Sequence, residues 1–213
     1  MMVLQAHRPA LDGVTVAPMR RRHLRGVLAI EHLVYPRPWS PGLFVAEAAD
    51  RRSRRYVVAL APRGPRWATR KVVGYAGLLV QAAEAHVTTV AVHPHHHRQK
   101  VATRLLLAVL SEAVAMGARA ATLEVRVHNR GAHRLYAGFG FAPVGVRPGY
   151  YAETGEDALV MWAHGLQEPA FADRLRTQAD RVRLPGGSSG APDLHVPWVR
   201  HRVGLEGPAP TDP

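Results

Sequence analysis

The apolar positions change period several times along the chain, and each change marks an element. Val14 to Val16 reads as a short strand. Between Arg20 and Glu31, residues Leu24, Val27, Leu28 and Glu31 recur at three- and four-residue spacing, which predicts a helix. Tyr35-Pro36-Arg37-Pro38-Trp39 interrupts it. Ser40 and Pro41 then supply an N-cap and a first helical residue for a second helix from Gly42 to Ala49. A strand over Arg55–Leu60 and a polar loop over Pro62–Arg70 lead into two β-rich runs, Val72–Gln81 and His86–Val92, with a short turn between them. From Val101 to Met116 the period is helical again, and Gly117 ends it. Ala121–Val127 predicts a strand, Gly131–Ala137 a short helix, and Phe141–Val146 and Ala158–Ala163 the last two strands. That order predicts an α+β domain built on one mixed sheet.

Four segments follow from this texture. Residues 1–12 read as a flexible leader and residues 13–165 as the folded domain. Residues 166–184 read as one short amphipathic helix carrying Phe171, Leu175, Gln178 and Val182. Residues 185–213 hold six prolines and five glycines and read as a disordered tail.

Composition then removes whole classes of function. The chain has no cysteine, which excludes disulfides, a catalytic thiol and any cysteine-ligated metal centre. Its 47% hydrophobic content is enough for a real core. No apolar run approaches the roughly 18 residues of a membrane span, and the first nine residues lack the apolar stretch of a signal peptide. A cytoplasmic protein without a membrane partner is the expectation. The net charge is +12, with 22 basic and 10 acidic residues up to Leu166 and six of each after it. The excess therefore lies on the domain, where it would attract nucleic acid, ribosomes or a phosphate-bearing cofactor. Arg20-Arg21-Arg22 and Arg51-Arg52-Ser53-Arg54-Arg55 concentrate it; such runs are also simply how a solvated surface looks.

The informative junction is His93-Pro94-His95-His96-His97-Arg98-Gln99-Lys100-Val101-Ala102-Thr103, which follows a strand and opens a helix. A helix start offers unpaired amides and a positive dipole end, hence a place for an anion. The histidine cluster reads as added charge for that loop rather than a metal site, because neighbouring rings on a tight turn cannot converge on one ion.

That junction, taken with Ala85–Pro94 before it and Val101–Leu106 after it, resembles the acetyl-coenzyme A motif of the GNAT superfamily of N-acetyltransferases. Downstream, Leu123-Glu124-Val125-Arg126-Val127-His128-Asn129, Leu135-Tyr136, Gly138-Phe139-Gly140-Phe141, Gly149-Tyr150-Tyr151 and Glu156–Met161 resemble the RimI branch, as does Tyr35–Ser40 upstream. The similarity spans about residues 14–165. It implies a GNAT fold, with a mostly antiparallel mixed sheet whose splayed strands hold acetyl-CoA. It further implies transfer of acetyl to the N-terminal alanine of a small-subunit ribosomal protein. Lysine, polyamine or small-molecule amines are alternative acceptors, and a non-catalytic, basic RNA- or ribosome-binding module is the alternative of another kind.

The resemblance also implies roles. Backbone groups of Val90, Ala91 and Val92 would pair with the pantetheine arm, as an added strand pairs with a sheet edge. Amides of Arg98, Gln99, Lys100, Val101, Ala102 and Thr103 would hold the pyrophosphate, and Asn129 would hydrogen-bond the cofactor. Glu124 matches the general base and Tyr136 the general acid. Lys100 departs from the pattern, which has glycine there; a positive φ at that lysine would cost about 1 kcal/mol or more. Glutamate is adequate chemistry for an α-amino acceptor: with a pKa near 8, about a tenth of that amine is already neutral at pH 7, against well under a thousandth for lysine. Alternation on the strand sets Glu124 beside Thr122 and Arg126, so Arg126 is expected to keep it ionised. A tyrosine with pKa near 10 can protonate a departing thiolate of about 8.5, although Tyr136 also suits a core position beside Leu135 and Phe139. Trp39, Phe44, Tyr150 and Tyr151 are candidates to line the acceptor groove, the last two in the loop before the final strand. Either pair fits a capping hydrophobic cluster equally well.

Overall fold

In the computed structural model, which describes residues 13–62 and 70–182, seven strands form one sheet with helices on both faces. The chain runs through β1 (Thr15–Pro18), α1 (Leu24–Val34), α2 (Pro41–Ala49), β2 (Arg54–Ala61), β3 (Lys71–Gln81) and β4 (Glu84–Val92). It continues through α3 (Val101–Ala115), β5 (Ala120–Arg126), α4 (Arg130–Gly138), β6 (Ala142–Tyr151), β7 (Glu156–His164) and α5 (Pro169–Val182). Single 3-10 turns, Arg21–His23 and Pro94–His96, precede α1 and α3. The strand order is β1-β2-β3-β4-β5-β7-β6, antiparallel throughout except for the β4–β5 pair. This is the expected GNAT sheet. The expected leader and tail lie outside the described residues.

Two clusters fill the two faces. Val27 and Ile30 of α1 and Phe44 of α2 pack with Val58, Tyr75 and Ala91 on one side. Leu105, Leu106, Val109 and Leu110 of α3 pack with Val73, Leu78, Leu123 and Val125 on the other. α5, the expected amphipathic helix, packs on the second cluster through Phe171 and Val182. Ser40 caps α2 as expected, its hydroxyl accepting from the Leu43 amide at 3.2 Å. β6 extends to Tyr151, five residues past the expected end.

The feature that shapes the site is a break between β4 and β5. Only Glu84–His86 pair with Ala120–Thr122; beyond that the two strands part. A bulge sits just past the last pair, where the β3–β4 register slips between Gly77 and Leu78 and leaves Thr88 as the extra residue. A bulge bends and twists its strand, here turning β4 off β5. Gly77 permits it. A Cβ there would lie 2.5 Å from the Tyr56 ring and 2.6 Å from the Thr88 hydroxyl.

Candidate active site

Val90, Ala91 and Val92 lie on the stretch of β4 that has left β5, paired to β3 through Ala76, Tyr75 and Gly74. Among the described residues no strand pairs with their other edge, which is what an extended ligand needs to add itself as a strand. One carbonyl there has a side-chain partner, since His97 Nε2 lies 3.0 Å from the Val92 oxygen.

The loop leading into α3 takes an unusual path. Arg98 (φ +62°) and Lys100 (φ +58°) are both left-handed, so the costly alternative for a lysine in the glycine position is the one realised. The first intrahelical bond runs from the Arg104 amide to the Lys100 carbonyl at 3.1 Å, leaving the amides of Val101, Ala102 and Thr103 at the open end. Gln99 between the two left-handed residues is buried and turned inward. Its Nε2 donates to the His95 carbonyl at 3.2 Å, and its Oε1 lies 3.1 Å from His96 Nδ1. Gln99 therefore offers a ligand its backbone and not its side chain. These loop residues fit a diphosphate: open amides, a helix N-terminus and surrounding cations. His93 titrates below its usual range, through burial first and then the charges of Lys71 and the neighbouring histidines. Among the described residues no group of three or more histidine or carboxylate side chains could hold a metal ion.

Glu124 projects from β5 onto the α1–α2 face, its side chain 8% exposed. Its partners correct the expectation. His86 Nε2 lies 3.4 Å from one carboxylate oxygen and Arg147 Nη1 lies 3.2 Å from the other. Arg126 instead binds Glu153 at 2.6 Å and Glu156 at 2.8 Å, with its guanidinium 3.9 Å above the Tyr151 ring. One carboxylate on the β6–β7 turn and one at the start of β7 outcompete one on the same strand, where alternate side chains stand parallel rather than converging.

Tyr136 is a buried member of the α3-side cluster, with Phe141 at 6.0 Å. Burial raises its pKa well above that of an ordinary tyrosine, and the neighbouring Tyr35 and Tyr151 add to the shift. The phenol thus holds its proton at any physiological pH. Tyr35 is partly buried with its hydroxyl 3.2 Å from Thr89, and Tyr151 is pushed up to about 12 by burial. Tyr35, His86 and Arg147 were not singled out from sequence. Pairing parity would have found His86, because His86 opposes Thr122 and so shares the face of Glu124.

The remaining candidates separate. Asn129 Oδ1 caps α4 by accepting from the Ala132 amide at 3.1 Å, which leaves its Nδ2 to donate outward. Phe44 is fully buried between Trp39, Tyr56 and Tyr75, so it is a core residue and not a groove residue. Trp39 covers it partly exposed, and its amide donates to the buried Glu31 at 3.0 Å. Tyr150 and Tyr151 end β6 rather than occupying a loop; Tyr150 is 45% exposed and Tyr151 lies 5.2 Å from it. Arg20, Arg21 and Arg51 line one shallow depression between α1 and α2, so the fold brings parts of the two basic runs together. Arg54 and Arg55 are instead paired with Glu47 and Glu112.

The acetyltransferase (GNAT) family matches residues 24–141. The chain belongs to the GNAT family. A Bacillus subtilis protein that carries the name ribosomal protein bS18-alanine N-acetyltransferase provisionally is 32% identical over 147 residues, covering 69% of this chain and 93% of that one. The Escherichia coli enzyme of that name is 30% identical over 150 residues, with 69% and 95% covered. The crystal structure of the E. coli enzyme superposes with a TM-score of 0.61 at 27% identity, over 71% of this chain and 94% of that one. This GNAT protein is an acetyl-CoA-dependent N-acetyltransferase. No helix among the described residues is long and apolar enough to cross a membrane.

Proposed function

We propose that this acetyltransferase modifies a protein α-amino group, the N-terminal alanine of ribosomal protein bS18. The observation that carries the reading is the likeness, over more than two thirds of the chain, to proteins named for that reaction. The site supports it. Bound acetyl-CoA supplies an activated acetyl thioester that a neutral amine can attack directly. Glu124 accepts the amine's proton, with Arg147 and His86 holding its two oxygens in place. A single carboxylate suffices because an α-amine is already partly neutral at pH 7. Tyr136 donates to the departing sulfur; burial favours its neutral form and makes it a hydrogen-bond donor first, a full acid only as negative charge grows beside it. Val90–Val92 and the Arg98–Thr103 amides hold the cofactor, with Asn129 beside them. Trp39, Tyr150 and Tyr151 border the acceptor. The basic surface around Arg20, Arg21 and Arg51 attracts RNA of the ribosomal substrate weakly and in a salt-dependent way.

The test is mass-resolved acetyl transfer from acetyl-CoA to two peptides. One carries a free bS18-type alanine terminus, and the other a blocked terminus with an internal lysine. Glu124→Gln is run beside the wild type. Transfer confined to the free alanine, and slowed about a hundredfold or more by Glu124→Gln, is expected. Transfer to lysine instead, or an undiminished Glu124→Gln, overturns the reading.

A further inference from the structure

The N-terminus of α3 and the C-terminus of α5 meet at the phosphate loop. Lys100 Nζ donates to the Arg181 carbonyl and Arg104 Nη2 to the Val182 carbonyl, each at 2.5 Å across about eighty residues of chain. Lys100 and Arg104 are one helical turn apart, so both cations face the same way. The last carbonyls of a helix have no donors within it and carry the negative end of its dipole, and cations are the partners such an end favours. α5 is itself anchored. Phe171 and Val182 are buried in the core, and on its flank Gln178 Nε2 donates to the Gly138 carbonyl at 2.7 Å.

The contact falls on the backbone that most needs it. Lys100 holds a left-handed conformation that a lysine leaves unless something retains it. Gln99 braces the loop from inside, while α5 grips it from outside through the Lys100 and Arg104 side chains.

We propose that α5 is a clamp on the cofactor site: through Lys100 and Arg104 its terminal carbonyls keep the α3 entry loop in the shape that receives the coenzyme A diphosphate. Both are positioning residues in this role. The proposal rests on the assignment of the Arg98–Thr103 amides to that diphosphate. An anion arriving at a loop already set loses less to ordering. Linkage then requires the reverse effect, cofactor binding tightening α5.

Hydrogen–deuterium exchange on the full-length chain, with and without acetyl-CoA, tests both statements at once. Acetyl-CoA is expected to slow exchange in residues 97–104 and, with it, in residues 169–182. Lys100→Met and Arg104→Met should each weaken the acetyl-CoA Kd about five- to tenfold, the equivalent of one hydrogen bond, and abolish the α5 response. Lys100→Arg and Arg104→Lys, which keep a cationic donor, should restore most of it. Exchange in residues 97–104 that ignores acetyl-CoA would remove the diphosphate assignment, and the clamp with it. A protected loop with an unresponsive α5 overturns the clamp alone, as does methionine at position 100 binding as tightly as lysine or tighter. Lys100 is exposed, so its variants read out even where Arg104→Met unfolds.

Discussion

Gly77 links the fold to the site closely enough for one methyl group to test the connection. In Gly77→Ala the new Cβ would stand 2.5 Å from Tyr56 Cε1, 2.6 Å from Thr88 Oγ1 and 2.8 Å from Tyr56 Cζ. Carbon contacts settle near about 3.8 Å, so the neighbours must yield by more than an ångström. Tyr56 has little room, being 7% exposed with its hydroxyl donating to Glu47 at 2.7 Å. The displacement therefore falls on Thr88, the bulged residue that turns β4 from β5. Overpacking of this kind costs about 1–3 kcal/mol, and at this chain length that is a fall in Tm of roughly 3–10 °C. Because the bulge lies where β4 parts from β5, the cleft proposed for the cofactor, acetyl-CoA affinity should drop as well, read by calorimetry well below the melting point. Gly145→Ala on β6, where a Cβ meets nothing within 4 Å, is the control and should keep both values. Equal Tm values for the two variants would refute the packing argument. A destabilised Gly77→Ala with unchanged affinity would refute the tie between bulge and cleft.

Tyr136→Phe should fold normally and lower kcat about tenfold or more with little change in the acetyl-CoA Kd; an unchanged kcat would reduce Tyr136 to a packing residue. Glu31 is 2% exposed with one oxygen unpartnered, and burial raises its pKa above 4.5. The folded state then binds a proton that the unfolded state releases, so wild-type stability falls as pH rises from about 4.5 through the raised value, and denaturation curves of Glu31→Gln should lack that decline. The β3–β4 turn carries alanines at φ +49° and +64°, conformations suited to Asn-Gly; Ala82→Asn with Ala83→Gly should raise Tm by a few degrees without touching activity.

Much of this was readable from residue order. Period changes located the elements within a few residues, because helices and strands alternate their buried faces locally. Ser40-Pro41 wrote its own cap, and the Glu124 and Tyr136 motifs came with the family likeness. Where the reading missed, long-range competition decided. β6 ran on to Tyr151 because β7 offered Glu156 as a partner for its far end. Phe44 went to the core because Tyr56 and Tyr75, from two later strands, closed around it. Arg126 left Glu124 for Glu153 and Glu156, about thirty residues away, and His86 and Arg147 took its place.

The sequence by itself determined the chemistry available: a carboxylate on one strand, a tyrosine on the next helix, an anion-ready helix start and no thiol. The tertiary structure alone decided how these meet. A register slip opposite Gly77 parts β4 from β5, and two left-handed residues shape the α3 entry. The end of α5 supplies carbonyls to the cations of that loop. Side-chain identity and periodicity are local properties that a chain carries in order. Register, strand separation and helix-end contacts depend on which distant surfaces are buried together, and are settled only when the whole core closes.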